Sequence, residues 1–184
     1  MTLRMKEQRE GKDAARHAIV ACAVEYFDAT IAPEDIVFIR EGLGKPRARI
    51  IGKTIPEEID FSVSHSSGMV VARAIPKREG RIGVDIEAVR SFAPATLEAF
   101  LTKREFRTLP RIRRNERATL LWCIKEAYLK ALGVGLLIHP QRVEVQLSRE
   151  GARITQDREP VATKVSWQHQ GAFISTCVIL PSYA

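Results

Sequence analysis

The sequence is poor in cysteine, in aromatic residues and in long apolar runs. Three of its 184 residues are cysteines and 7% are aromatic. No stretch approaches the roughly eighteen uninterrupted apolar residues that a membrane-spanning helix requires, and the N-terminus is charged where a secretory signal needs an apolar centre. Cys22, Cys123 and Cys177 are odd in number, widely spaced and set among apolar residues. This pattern favours reduced, buried thiols over disulfides or a zinc site, and a cytoplasmic protein.

The composition otherwise indicates a soluble globular chain. A hydrophobic content of 45% over 184 residues supports one sizeable domain, or two small domains closely joined, without a long linker or low-complexity segment. The formal net charge of +7 favours an anionic partner, which could be a nucleic acid, a phosphorylated small molecule or an acidic protein. A surface whose charge serves only solubility would give the same value, so the net charge alone does not identify a partner.

Hydrophobic periodicity predicts helices and hairpins in alternation. Spacings of three and four predict helices over 13–27, 94–101 and 117–133, with Gly133 as the C-cap of the last. Extended pairs are predicted within 32–50, 57–75, 142–154 and 164–180, and a single strand over 81–90.

These elements recur in the same order, which indicates an internal duplication in an α+β fold. A helix is followed by a strand with an Arg-Glu-Gly turn, at Arg40 to Gly42 and again at Arg149 to Gly151, and then by a hairpin with a histidine just before a glycine. The predicted halves are 1–85 and 86–184. Chance recurrence of a common α+β unit is the alternative.

Residues 81–90, RIGVDIEAVR, alternate apolar and polar side chains. A strand here turns Asp85 and Glu87 to the same face. Two neighbouring carboxylates repel each other, so this face lies open in water, holds a cation, or has one carboxyl protonated.

The strongest predicted helix supplies a third carboxylate. Glu126 and Lys130 lie one turn apart, and Trp122 lies one turn before Glu126. A solvent-facing Glu–Lys pair is the ordinary interpretation of this spacing. Together with Asp85 and Glu87, however, Glu126 would complete a set of three hard oxygen ligands for Mg²⁺, with positions left for water and phosphate.

Two further segments could meet an anion. GLGKPRAR, residues 42–49, is a glycine-bracketed turn with three cations that suits phosphate, although a basic exposed turn is the commoner case. Ser64 and His65 lie at a predicted hairpin turn, where a hydroxyl, an imidazole and backbone N–H groups could bind an anion. His65 could equally be a turn residue without a role. A Ser-His hydrolase is disfavoured because no nucleophile elbow is present.

The ordered motifs GKP (Gly44 to Pro46), FSVSHS, IGVDIE, FLTKREF and WCIKEAYLK resemble 4'-phosphopantetheinyl transferases of the larger, two-halved, surfactin-synthetase-activating type. The resemblance runs from about Asp13 to the end of the chain. It implies two similar α+β halves related by a pseudo-twofold axis, with coenzyme A and Mg²⁺, or alternatively Mn²⁺, in the cleft between them. The implied reaction transfers the phosphopantetheine arm to a serine of an acidic acyl or peptidyl carrier protein. Two halves in one chain could complete this cleft without a partner, which favours a monomer, and neither a nucleic-acid nor a membrane partner is expected.

The resemblance also implies roles for particular residues. The metal ligands would be Asp85, Glu87 and Glu126. Asp85, Glu126 and Lys130 would be catalytic, with Glu126 accepting the serine proton directly or through a metal-bound water. The implied coenzyme A contacts are Arg16, Lys45, Arg47, Ser64, His65, Lys125 and Lys130.

One departure from the family pattern concerns the start of the chain. Relatives of this type carry more residues before the first helix, including basic ones that hold the nucleotide. Here Lys6 or Arg9 would have to take their place, and without such a substitute the affinity for coenzyme A should be weak.

Two rival functions follow from the same residues. An acidic cluster on a basic chain also suits a Mg²⁺-dependent nuclease, although aromatic and basic residues are not interleaved as in single-strand binders. A coenzyme A binding module without catalysis is the other.

Overall fold

The computed structural model describes residues 2–40 and 44–182, which form a mixed α+β fold. Its helices are α1 (Thr2–Phe27), α2 (Pro94–Phe100), α3 (Lys103–Thr108) and α4 (Arg114–Leu132). Its strands are β1 (Ile36–Ile39), β2 (Arg47–Ile50), β3 (Ile59–Ser66), β4 (Met69–Pro76), β5 (Arg81–Ala88), β6 (Val143–Ser148), β7 (Gly151–Gln156), β8 (Glu159–Val161), β9 (Lys164–Gln170) and β10 (Phe173–Leu180). No helix in these ranges is both long and apolar enough to cross a membrane.

The strands pair only with antiparallel neighbours in the described ranges. The sheets are β1–β2, β3–β4, β5–β10–β9 and β6–β7–β8. In the central sheet Thr176 lies opposite Asp85, and Ile174 lies opposite Glu87. Because β10 is paired on both sides, it holds the carboxylate strand β5 firmly within a three-stranded sheet.

The first helix packs its apolar stripe onto β3 and β4. Ala15, Ile19, Cys22 and Ala23 are buried in one cluster with Phe61. This stripe confirms the spacing that predicts the helix, but the helix begins at Thr2 rather than near Asp13.

The last helix, α4, forms the centre of the larger core and packs against β5 and β10. Gly133 ends it with φ of 77°, in the left-handed conformation that glycine adopts without strain, which confirms the predicted C-cap. Gly83 on β5 allows an unusually close approach, because a Cβ there would lie 1.8 Å from the Ala127 carbonyl oxygen and 2.5 Å from the Ala131 nitrogen. The absence of a side chain at Gly83 therefore sets how near β5 lies to α4.

Strands β3 and β5 lie side by side but are joined by side chains rather than by a backbone ladder. Alternate polar residues of β3 bond to β5, and we call these contacts the β3–β5 seam. They are Asp60 to the Ile82 N–H (2.7 Å), Ser62 to the Val84 N–H (3.0 Å), Ser64 to Asp85 (2.8 Å) and Ser66 to Glu87 (3.4 Å). The bonded positions advance in the same direction along both strands, so the strands run parallel.

Two elements were not predicted. Helix α3 begins at a capping box, in which Thr102 accepts from the Glu105 N–H and Glu105 accepts from the Thr102 N–H. The short strand β8 extends the β6–β7 hairpin by one edge strand.

Candidate active site

The structure brings together one residue of β3, one of β5 and one of α4. The Lys130 Nζ lies 2.6 Å from Asp85 Oδ1 and 2.8 Å from Ser64 Oγ, and Ser64 donates to the same Asp85 oxygen at 2.8 Å. Ser64 and Asp85 are buried, whereas Lys130 is partly exposed. The close approach at Gly83 permits this contact, since it places α4 directly over β5.

Two carboxylate oxygens in this cluster are buried without a hydrogen-bond partner in the described residues, namely Asp85 Oδ2 and Glu126 Oε1. Burial raises the pKa of Glu126 above its usual value, and the Asp85 charge raises it further, while Lys130 opposes the shift. A buried, unpaired carboxylate oxygen is costly unless a proton or a cation meets it. These two oxygens therefore fit a hard divalent cation.

Glu87 differs because both of its oxygens are engaged. The Trp122 indole N–H donates to Oε1 at 3.2 Å, and the Ser66 hydroxyl donates to Oε2 at 3.4 Å. Burial raises the pKa of Glu87, Asp85 adds to that rise, and these two hydrogen bonds lower it. Within residues 2–40 and 44–182, no three acidic, histidine or cysteine side chains are already arranged as metal ligands.

A cavity of about 300 Å³ opens beside Lys130. Its lining contains three cations, Arg40, Lys45 and Lys130, and small residues at Gly44, Gly133 and Gly135. The Lys45 Nζ donates to Asp60 Oδ2 and to the Ile82 carbonyl, each at 2.6 Å. Burial lowers the pKa of Lys45, and Asp60 works against that change. The cavity thus offers positive charge next to the carboxylates, which suits a phosphorylated ligand.

Other predicted contacts lie outside this cavity's lining. Arg47 is exposed and pairs with Glu58 at 2.7 Å. Arg16 pairs with Asp13 at 3.2 Å and lies over the Phe38 ring.

The remaining predicted cations and His65 are placed less distinctively. His65 is exposed on β3 opposite Val70, and Arg9 is exposed on α1. The side chain of Lys6 and all of Gly42 and Leu43 lie outside the described part of the chain.

Lys125 is the clearest correction to the predicted contacts. Its side chain is fully buried, and its Nζ donates to Glu105 Oε2 (2.7 Å), the Phe100 carbonyl (2.8 Å) and the Pro140 carbonyl (3.1 Å). All of the donors of the ammonium group are thereby used. Lys125 ties α4 to the α2–α3 segment and to the loop before β6, which leaves no donor of its ammonium group for a ligand.

Sequence reasoning missed the β3 residues that hold β5. Asp60, Ser62 and Ser66 share one face of β3 with Ser64. The signal was present in DFSVSHS, where polar side chains occupy every second position of an otherwise apolar strand. Such a face needs polar partners if it is buried.

The chain is similar in sequence to curated proteins of one enzyme class. It is 31% identical over 121 residues to the 4'-phosphopantetheinyl transferase psf-1 of Bacillus pumilus, covering 64% of this chain and 48% of that protein. It is 28% identical over 154 residues to the 4'-phosphopantetheinyl transferase ffp of Bacillus subtilis, covering 81% of this chain and 61% of that protein. The chain thus spans about half the length of the curated relatives it matches.

Among solved structures, a holo-(acyl-carrier-protein) synthase from Bacillus anthracis in complex with CoA (3',5'-ADP) matches with a TM-score of 0.49 and 26% identity, covering 56% of this chain and 96% of that one. The model of the 4'-phosphopantetheinyl transferase superfamily matches residues 81–178, more than half of the chain and the segment that carries Asp85, Glu87, Glu126 and Lys130. The chain therefore belongs to the 4'-phosphopantetheinyl transferase superfamily.

Proposed function

We propose that this protein transfers the 4'-phosphopantetheine arm of coenzyme A to a serine of an apo acyl or peptidyl carrier protein. The observation that carries the proposal is the pair of buried oxygens of Asp85 and Glu126 that have no hydrogen-bond partner among the described residues, beside Lys130 and a cationic cavity. Membership of the superfamily and the names of the relatives support the same reaction.

The acidic cluster fits Mg²⁺, or Mn²⁺ in its place. Asp85, Glu87 and Glu126 would hold the ion, and Asp85 and Glu126 each offer it a buried oxygen without a hydrogen-bond partner in the described residues. When bound, the ion supplies Lewis-acid polarisation of the pyrophosphate of coenzyme A.

The residues of the chain account for the movement of the proton and of charge. The serine oxygen forms a new bond to the β-phosphorus, and the bond from that phosphorus to the bridging oxygen breaks, releasing adenosine 3',5'-bisphosphate. Glu126 accepts the serine proton, because burial and the Asp85 charge raise the pKa of its carboxyl above its usual value. The Lys130 ammonium, held by Asp85 and Ser64, steadies the negative charge that develops on the transferred group.

The cavity lined by Arg40, Lys45 and Lys130 would receive the phosphates of coenzyme A, and Ser64 would contact the same ligand from its position beside Lys130. His65 and Arg16 would contact the same ligand from β3 and α1. The net charge of +7 suits an acidic carrier protein and would speed encounter at low salt. Nucleic acid and membrane have no part in this proposal.

We propose two halves, 1–85 and 86–184, related by a pseudo-twofold axis. The repeated order of helix, hairpin and hairpin supports this division, as α1, β1–β2 and β3–β4 are followed later by α4, β6–β7 and β9–β10. Strand β5 spans the junction and carries Asp85 and Glu87. A cleft completed within one chain is consistent with a monomer, and the scarcity of cysteine with the cytoplasm.

The test is the intact mass of several apo carrier proteins after incubation with this protein, coenzyme A and Mg²⁺. A phosphopantetheine-sized gain is expected for at least one carrier. Asp85→Asn should abolish the gain, whereas the matched control Asp157→Asn, an exposed carboxylate paired with Arg142, should not.

Two results would favour the rival functions. Tight coenzyme A binding without any mass gain would support a binding module. Metal-dependent cleavage of an oligonucleotide that is lost in Glu126→Gln, with no mass gain, would support a nuclease.

A further inference from the structure

The two lysines that line the cavity are each anchored by an aspartate. The Lys130 Nζ lies 2.6 Å from Asp85 Oδ1, and the Lys45 Nζ lies 2.6 Å from Asp60 Oδ2. Asp85 belongs to β5 and Asp60 to β3, so the two strands of the β3–β5 seam supply one anchor each. The proposed reaction uses Asp85 and gives Asp60 no part.

The pair of Lys45 and Asp60 is largely shielded from water, with side chains that are 18% and 19% exposed. Asp60 Oδ2 accepts from the Lys45 Nζ and from the Ile82 N–H, which uses both lone pairs of that oxygen. The Lys45 ammonium has three donors, of which Asp60 and the Ile82 carbonyl take two. One donor is left for a ligand in the cavity.

The side chain of Lys45 crosses three elements. Lys45 lies just before β2, and its Cβ would be 3.4 Å from a Cβ added to Gly133 at the end of α4. Its ammonium contacts β3 at Asp60 and β5 at the Ile82 carbonyl. Asp60 therefore determines where the end of a long, flexible side chain lies relative to α4 and β5.

Asp60 also favours the charged form of Lys45. Burial lowers the pKa of Lys45, Asp60 opposes that change, and Arg81 adds to the lowering. A lysine without this anchor would have to be ordered when a ligand binds, which reduces affinity by up to about tenfold. A lysine that is already ordered and charged avoids that loss.

We infer that Asp60 is a positioning residue for coenzyme A, which holds the Lys45 ammonium at the cavity so that its remaining donor contacts a phosphate of the ligand. The inference rests on the proposed function and concerns ligand affinity. The β3–β5 seam alone would require of this position only an acceptor for the Ile82 N–H, as Ser62 is for the Val84 N–H at 3.0 Å.

The experiment measures the dissociation constant of coenzyme A by calorimetry, with Mg²⁺ and without a carrier. Asp60→Ser keeps an acceptor for the Ile82 N–H in the manner of Ser62, but its hydroxyl ends one bond short of Oδ2 and should lose Lys45. Coenzyme A should bind this variant about tenfold more weakly. Asp60→Asn places an amide oxygen where Oδ2 lies, keeps both contacts, and should bind within about threefold of the unaltered protein.

The matched control is Glu58→Gln, which removes an exposed carboxylate that lies 2.5 Å from the Lys77 Nζ, and it should leave the affinity unchanged. In steady-state transfer, Asp60→Ser should raise the KM for coenzyme A about tenfold while kcat and the KM for the carrier stay within about twofold. In a Lys45→Met background, Asp60→Ser should cause no further loss of affinity, because Asp60 acts through Lys45.

Three results would overturn the inference. They are unchanged affinity in Asp60→Ser, equal losses in Asp60→Ser and Asp60→Asn, and the same loss from Asp60→Ser with and without Lys45. Should Asp60→Ser not fold, Asp60→Glu, which displaces the carboxylate by one methylene, takes its place with the same expected loss. The mass assay on the unaltered protein reports separately on transfer, so the expected affinities without any transfer would sustain this inference and contradict the proposed function.

Discussion

Replacing Gly83 with alanine should damage both the fold and the acidic cluster. The added Cβ would lie 1.8 Å from the Ala127 carbonyl oxygen and 2.9 Å from its carbon, both backbone atoms that cannot rotate away. Reaching ordinary contact at 3.4 Å requires β5 and α4 to separate by about 1.6 Å. Overpacking of this kind costs about 1–3 kcal/mol or more.

Asp85 lies on β5, whereas Glu126 and Lys130 lie on α4. The same displacement would therefore separate Asp85 from both of them. A shift of about 1 Å in a catalytic group can cost about 100-fold in rate. We therefore expect Gly83→Ala to lower the melting temperature by at least about 5 °C and to reduce the rate of carrier modification by at least about 100-fold.

The assay is thermal unfolding followed by circular dichroism, and transfer measured by intact mass well below the melting temperature. Gly11→Ala is the matched control. Gly11 lies within α1, and a Cβ there would meet only Val63 at 3.7 Å. Because alanine favours the helix more than glycine does, Gly11→Ala should stabilise the protein by up to about 1 kcal/mol. A Gly83→Ala protein that melts within about 2 °C of the unaltered chain and transfers at its rate would refute the reasoning.

Three further predictions follow from the described contacts. Lys125→Met should lower the free energy of unfolding in urea by about 3–5 kcal/mol, because the buried Glu105 charge then lacks its partner. Adding Glu105→Gln should recover part of that loss. A loss below about 1 kcal/mol in Lys125→Met would contradict this prediction. Burial and Asp85 raise the pKa values of Glu87 and Glu126, so these carboxyls bind protons more tightly in the folded chain than in the unfolded one. The metal-free protein should therefore lose stability as the pH rises from the pKa of the unfolded state to the higher pKa of the folded state. Glu126→Gln should flatten that decline and stabilise the metal-free protein at neutral pH by about 1–2 kcal/mol in denaturant titrations, whereas an unchanged pH profile would count against it. Arg47→Ala should leave the KM for coenzyme A within about twofold and the stability within about 1 kcal/mol, since its exposed pair with Glu58 is worth little, while Lys45→Met should raise the KM by tenfold or more; equal effects of the two changes would place Arg47 at the ligand.

Much of the secondary structure could be predicted because apolar spacing reports directly on burial. The stripe through Ile19 and Cys22 predicts α1, and the left-handed end at Gly133 follows from its glycine. The early start of α1 could not be predicted, because its first two turns have no apolar stripe to distinguish them. Strand β8 is three residues long and includes Pro160, so its sequence carries no strand pattern.

The site was predictable where one motif lies on one element and less so where it depends on packing. Asp85 and Glu87 share a strand face, and Glu126 and Lys130 share a helix face, so local periodicity suffices. Lys125 lies in the same motif as Glu126, but its side chain points about 100° away around the helix axis and into the core. Motif membership therefore does not distinguish a ligand contact from a buried ion pair, and only the position of Glu105 in space does so.

The β3–β5 seam also determines how the two strands are aligned lengthwise. Because β3 repeats serine at Ser62, Ser64 and Ser66, sliding it by two residues along β5 would exchange one hydroxyl for another at little cost. Asp60 removes that ambiguity, since it is the only charged member of the row and is bound by both the Ile82 N–H and Lys45. Asp60, near the start of β3, thereby fixes which serine contacts Asp85. The cation that binds Asp60 in this alignment is Lys45, which also lines the cavity.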